Sequence, residues 1–196
     1  MSIPAEISHL DAVLKKLKEK YISGQITLSE NRDNATLTTV IVQNLSEDYF
    51  ALRPDKSKIQ IFNSGYGNKQ CDYILLSECE GDKVAVFVEL KSSVDPNNAA
   101  SQIPQTNING KYEDYVTQLT GSNCLFDFLH SVLVNFCQCS ALNTYKRYFV
   151  VLHNLEYSPI SSPIPLTRPV SNTEPTTAYI RKTTNNENLT IRQLIR

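Results

Sequence analysis

The sequence predicts an α/β domain with a mixed central β-sheet flanked by helices. Three observations predict it. Residues 71–76 and 83–91 are apolar runs on either side of Glu80-Gly81-Asp82, a turn signal, and so form a β-hairpin. Residues 112–138 repeat apolar side chains at helical spacing, with Phe126, Leu129, Val132, Leu133 and Phe136 on the expected buried face. Residues 148–152 (Tyr-Phe-Val-Val-Leu) form a continuous apolar run, the mark of a strand buried on both faces. Strand, helix and strand in that order predict a crossover, right-handed if the two strands are parallel. At 196 residues, with 41% hydrophobic and 20% charged, the chain is one globular domain able to bury a core without staples.

Residues 6–21 place Ile7, Leu10, Val13, Leu14, Leu17 and Tyr21 on one stripe and most of their lysines elsewhere, which predicts an amphipathic N-terminal helix within residues 1–22. The core is expected over 36–153. Residues 36–43 are β-branched and predict a strand. Residues 49–52 and 58–62 are short strand candidates separated by Pro54-Asp55. The hairpin follows. Residues 112–138 then form one long helix, or two with a break near Gly121-Ser122-Asn123. Five prolines between 157 and 175 predict an irregular loop or arm. Residues 178–181 return as a strand, and 189–195 end as a short helix.

The hairpin concentrates charge in an apolar setting. Asp72 is followed by sixteen residues and then Glu89-Leu90-Lys91. Side chains alternate along a strand, so Glu89 and Lys91 share a face, and the antiparallel partner brings Asp72 toward them. Charges are rarely buried unless paired or bound to metal. Asp72 and Glu89 are an oxygen pair suited to Mg²⁺ or Mn²⁺, with the carbonyl of Val88 or Leu90 as a further ligand. Such a metal lowers the pKa of its water and offsets charge on a phosphodiester. Lys91 would orient that water or stabilise developing negative charge. A one-residue slip in register would turn Asp72 away and dissolve the site.

The spacing Asp72-x16-Glu89-x-Lys91, with a hydrophobic strand running into the glutamate, resembles the PD-(D/E)XK nuclease superfamily. Ser64-Gly65-Tyr66-Gly67 before Cys71-Asp72-Tyr73, and Val88-Glu89-Leu90-Lys91-Ser92-Ser93 after it, add to the likeness, strongest over residues 58–120. The family's proline before the aspartate is Cys71 here. The resemblance implies a restriction-endonuclease-like core and a Mg²⁺- or Mn²⁺-dependent endonuclease, with DNA as the default substrate and defence against foreign DNA as a role. It also implies a glutamine on the following helix. Gln118 is favoured over Gln102, because Pro104 would break a helix around the latter. With Gln118, residues 93–111 become a loop-rich insertion beside the site.

The remaining features bound the reading. Net charge is −1, low for a nonspecific nucleic-acid binder. Residues 141–196 nevertheless carry seven Lys/Arg against three Asp/Glu, and Arg168, Arg181, Lys182, Arg192 and Arg196 are candidate phosphate contacts. The five cysteines lack paired C-x-x-C motifs and the three histidines lack zinc spacing, which predicts reduced thiols in a cytoplasmic protein. No run approaches the ~20 apolar residues of a membrane span. Glu6, Glu19 and Glu30 are candidates for an additional acid. The partner is nucleic acid, with a homodimer or a partner subunit as further possibilities. The competing reading is a catalytically inactive binding or assembly module on a nuclease-like fold.

Overall fold

The computed structural model describes residues 3–14, 17–30, 37–54, 69–91, 114–154 and 172–195. The core is a six-stranded mixed sheet with strand order β1-β4-β5-β6-β7-β8. Its strands are β1 (Lys18–Lys20), β4 (Phe50–Leu52), β5 (Tyr73–Cys79), β6 (Asp82–Lys91), β7 (Lys146–His153) and β8 (Tyr179–Lys182). From β1 to β6 the neighbours are antiparallel; β6, β7 and β8 run parallel.

The expected hairpin is β5–β6. Glu80 and Gly81 both take positive φ, 56° and 84°, in a two-residue turn whose twist matches the strands. Both strands are buried on both faces, which is why they read as continuous apolar runs. Helix α2 (Asp114–Cys137) covers one face and makes the crossover from β6 to β7. It is a single helix across Gly121. Phe126 packs edge-on to Phe87 of β6, and Phe87 stacks on Phe149 of β7. The inward stripe is Leu119, Phe126, Leu129 and Leu133. Phe136, expected on that stripe, lies in the helix's last turn and is 82% exposed.

The N-terminal helix is shorter than its apolar stripe predicts. Helix α1 is Ala5–Val13, and residues 18–20 pair with β4 as β1. Backbone pairing with β4 takes Lys18–Lys20 out of the helix, and the Tyr21 hydroxyl donates to the Leu76 carbonyl at 2.7 Å. Val13, assigned to the stripe, is 51% exposed.

The second face of the central sheet differs from expectation too. It meets a three-stranded sheet, order β2-β3-β9, made of Ile26–Ser29, Thr39–Gln43 and Glu187–Thr190, together with the short helix that follows β9 and packs on β7. Tyr73 of β5 joins the layers: its hydroxyl accepts the Ser29 N–H at 3.0 Å. Leu28, Val40 and Val42 of this sheet are fully buried. Residues 189–190, expected to start a terminal helix over 189–195, instead end the strand β9, and only α3 (Ile191–Ile195) is helical. Residues 58–62 and most of the proline-rich stretch lie outside the described residues. Its end is packed in: Asn172 is buried, its carbonyl accepts the Phe149 N–H at 2.8 Å, and Pro175 is buried. No described helix is long and apolar enough to cross a membrane.

Candidate functional site

The pairing of Tyr73 with Val88, carried one step outward, sets Asp72 opposite Glu89. Alternation turns both side chains to the face covered by α2. Asp72 Oδ2 accepts the Leu90 N–H at 2.7 Å, so its carboxylate lies against the Glu89–Leu90 peptide. Within a strand, a residue's C=O points to the same side as its N–H. The Leu90 carbonyl therefore faces the Asp72 side as well, beyond the last rung of the ladder.

Glu89 is deeply buried, its side chain 1% exposed, and Lys91 Nζ lies 2.9 Å from its Oε1. The same ammonium donates to Gln118 Oε1 at 2.7 Å. Gln118 sits on the inward face of α2 at 7% exposure. Lys91 is thus held between a carboxylate from its own strand and an amide oxygen from the covering helix. The structure brings Asp72, Glu89, Leu90, Lys91 and Gln118 to one end of the sheet. Gln102 and the stretch 93–111 lie outside the described residues.

The same helix fixes the entry to β5. Ser122, one turn after Gln118, accepts the Cys71 N–H at 2.7 Å and is itself fully buried. At Gly121 a Cβ atom would stand 2.1 Å from the Lys69 carbonyl oxygen, so only glycine lets the chain before Asp72 pass this close to α2. The residue read as a helix breaker is the one that admits the strand. Positions 118 and 122 share a helix face, and sequence spacing from Gln118 is the one signal that points to Ser122. Burial pushes the Cys71 thiol well above its ordinary range, and Glu89 and Asp72 push it the same way. Cys71 is therefore an inert buried group beside the two carboxylates.

Other candidates are placed elsewhere. Glu6 is buried at the opposite end of β6, paired with Lys83 and accepting from the Tyr145 hydroxyl at 3.2 Å. Glu19 pairs with Arg53 at 3.0 Å, and Arg53 lies over the Tyr73 ring on the far face of the sheet. Arg181 is engaged by Glu187 and Arg192 by Glu80, both at 3.2 Å. Arg168 and Arg196 lie outside the described residues. Lys182 remains exposed at the end of β8.

Among the described residues no group of three or more His, Cys, Asp and Glu side chains gathers as a metal centre. The donor set at this site is two carboxylates and a peptide oxygen, which fits a hard cation that keeps several waters better than it fits zinc. Comparison of the chain with protein-family models, curated proteins and solved structures returns no match.

Proposed function

We propose that the chain is a metal-dependent nuclease acting on nucleic acid, with DNA as its substrate and endonucleolytic cleavage in defence against foreign DNA as its role. The observation that supports this most is the clamp on Lys91: 2.9 Å to Glu89 and 2.7 Å to Gln118, at the strand end where Asp72 meets Leu90. The antiparallel β4-β5-β6 run followed by α2 and parallel β7 supports a restriction-endonuclease-like core.

Asp72, Glu89 and the Leu90 carbonyl are the residues that would hold Mg²⁺ or Mn²⁺. When bound, the metal would supply a water of lowered pKa and positive charge to offset the negative charge of the pentacoordinate phosphoryl transition state. Lys91 would hydrogen bond an attacking water and balance the negative charge that develops on a phosphate oxygen. Gln118 fixes the ammonium's position, so its remaining N–H is aimed before substrate arrives. Burial of Glu89 behind α2 excludes bulk water from one side of the site, which strengthens each of these interactions.

The test incubates the purified chain with supercoiled DNA, single-stranded DNA and RNA in Mg²⁺, Mn²⁺ or EDTA. Cutting is expected only with metal, and Lys91→Ala is expected to lower it by at least about 100-fold. An inactive binding module would show no cutting and no metal-induced rise in melting temperature. Metal-induced stabilisation that Asp72→Ala removes, with no cutting, would point to a subunit that needs a partner.

A further inference from the structure

One buried polar group at this end of the sheet has no role in the site just described. His153 is the last residue of β7, 5% exposed, and its Nδ1 has no hydrogen-bond partner. A buried polar atom without a partner is costly, so such a group in a native fold calls for an explanation. Parallel register pairs His153 with Lys91 on one side and with Lys182 of β8 on the other. Residues in register across a sheet share a face, so His153 and Lys182 continue the row that carries Lys91.

The row has a polarity. The acids Asp72 and Glu89 lie one side-chain step back along the strands on the same face, in register with Val151; the β7–β8 end of the row holds His153 and the exposed Lys182. Strands in a sheet are about 4.8 Å apart, so Lys182 stands roughly 10 Å from Lys91 along the row. The row also lies at the carboxyl ends of the parallel strands β6, β7 and β8, where open α/β sheets bind ligands.

We propose that the substrate path runs along this row, and that His153 hydrogen bonds a phosphodiester oxygen of a nucleic-acid strand while Lys182 provides positive charge beside it. The proposal rests on the nuclease reading for the identity of the strand and assigns it a direction, outward from the acid pair toward β8. A neutral imidazole suits the role, since it donates without adding a second buried charge next to Lys91. Burial and the nearby Lys182 hold the His153 pKa below its ordinary value, which keeps the ring in that form.

The experiment measures binding apart from catalysis. Labelled single-stranded oligodeoxynucleotide and oligoribonucleotide are titrated into the chain in EDTA, followed by fluorescence anisotropy at several salt concentrations. His153→Ala is expected to weaken binding about tenfold, and His153→Gln, which keeps an N–H donor, to recover most of that loss. Lys182→Ala is expected to weaken binding and to lower the log–log salt slope by about 1. Affinities of His153→Ala and Lys182→Ala both within about twofold of wild type would overturn the proposal, as would absence of wild-type binding to either probe. If His153→Ala fails to fold, the Gln variant and the exposed Lys182 decide by the same criteria. The two readings fail separately. Metal-dependent cutting that is unchanged in the His153 and Lys182 variants removes this path and leaves the nuclease. Binding that depends on His153 without cutting in Mg²⁺ or Mn²⁺ removes the nuclease and leaves the phosphate site.

Discussion

Glu89 sets the energetic character of the candidate site. A carboxylate with a 1% exposed side chain loses hydration that one ammonium recovers only in part. Replacing it with the neutral isostere removes the charge that compensates the largely buried Lys91 ammonium. Glu89→Gln is expected to lower stability without metal by about 3 kcal/mol and to lose both cutting and the metal-induced rise in melting temperature. Thermal melts with and without Mg²⁺ check this; a Gln variant as stable as wild type would show that the ion pair adds nothing to the fold. Gln118→Ala is expected to reduce cutting about tenfold through the lost hydrogen bond to a charged donor, with KM changed less than kcat. The triad Asp72, Glu89 and Lys91 was legible because its members lie in one hairpin, where local turn chemistry fixes the register. Ser122 and His153 were not. Their relation to the site depends on how α2 and β7 are docked, and neither residue type announces that in one dimension.

At the scale of the element, α2 shows how propensity and packing compete. Glycine inside a helix costs about 1 kcal/mol relative to alanine, so Gly121→Ala would help an isolated helix. In the folded chain the new Cβ would meet the Lys69 carbonyl at 2.1 Å, and backbone must move. Overpacking of this kind costs about 1–3 kcal/mol or more, so the clash wins. Gly121→Ala is expected to lower stability by about 1–2 kcal/mol net and to impair the site through Asp72, measured as a fall in denaturation midpoint with a loss of metal-induced stabilisation. The hairpin and α2 were readable because their signals are local. The strands β1 and β2 were not: Lys18–Lys20 has the composition of a solvated helix face, and it becomes strand only because β4 offers it an edge. Leu189 and Thr190 of β9 looked like the start of α3 because their partner, β3, lies far away in sequence.

The whole molecule buries several weak acids in protonated form. Burial raises Cys71 well above 9.0 and Tyr21 well above 10.0, and Tyr145, beside Glu6, is raised from 10.0 as well. In each case the folded pKa exceeds the unfolded one. The stabilisation is fully present below the unfolded value and is lost as pH rises toward the folded one. Each group contributes about 1.4 kcal/mol per pH unit once the unfolded chain ionises. If all three stay protonated in the fold, stability at pH 10.5 should fall roughly 3–4 kcal/mol below that at pH 8. Cys71→Ala should remove about 2 kcal/mol of that dependence, read from urea midpoints at the two pH values. The parallel pairing of β3 with β9 has a further consequence, for the timing of biosynthesis. Residues 39–43 leave the ribosome early, but their partner at 187–190 follows only after the entire crossover and β8 have been made. The layer behind Tyr73 cannot close until residues 187–190 have been made, and non-local parallel pairing is slow in any case. Residues 72–91 can form their hairpin well before that layer exists to support it. The Asp72–Glu89–Lys91 end of the sheet therefore lacks its backing layer for most of the chain's synthesis.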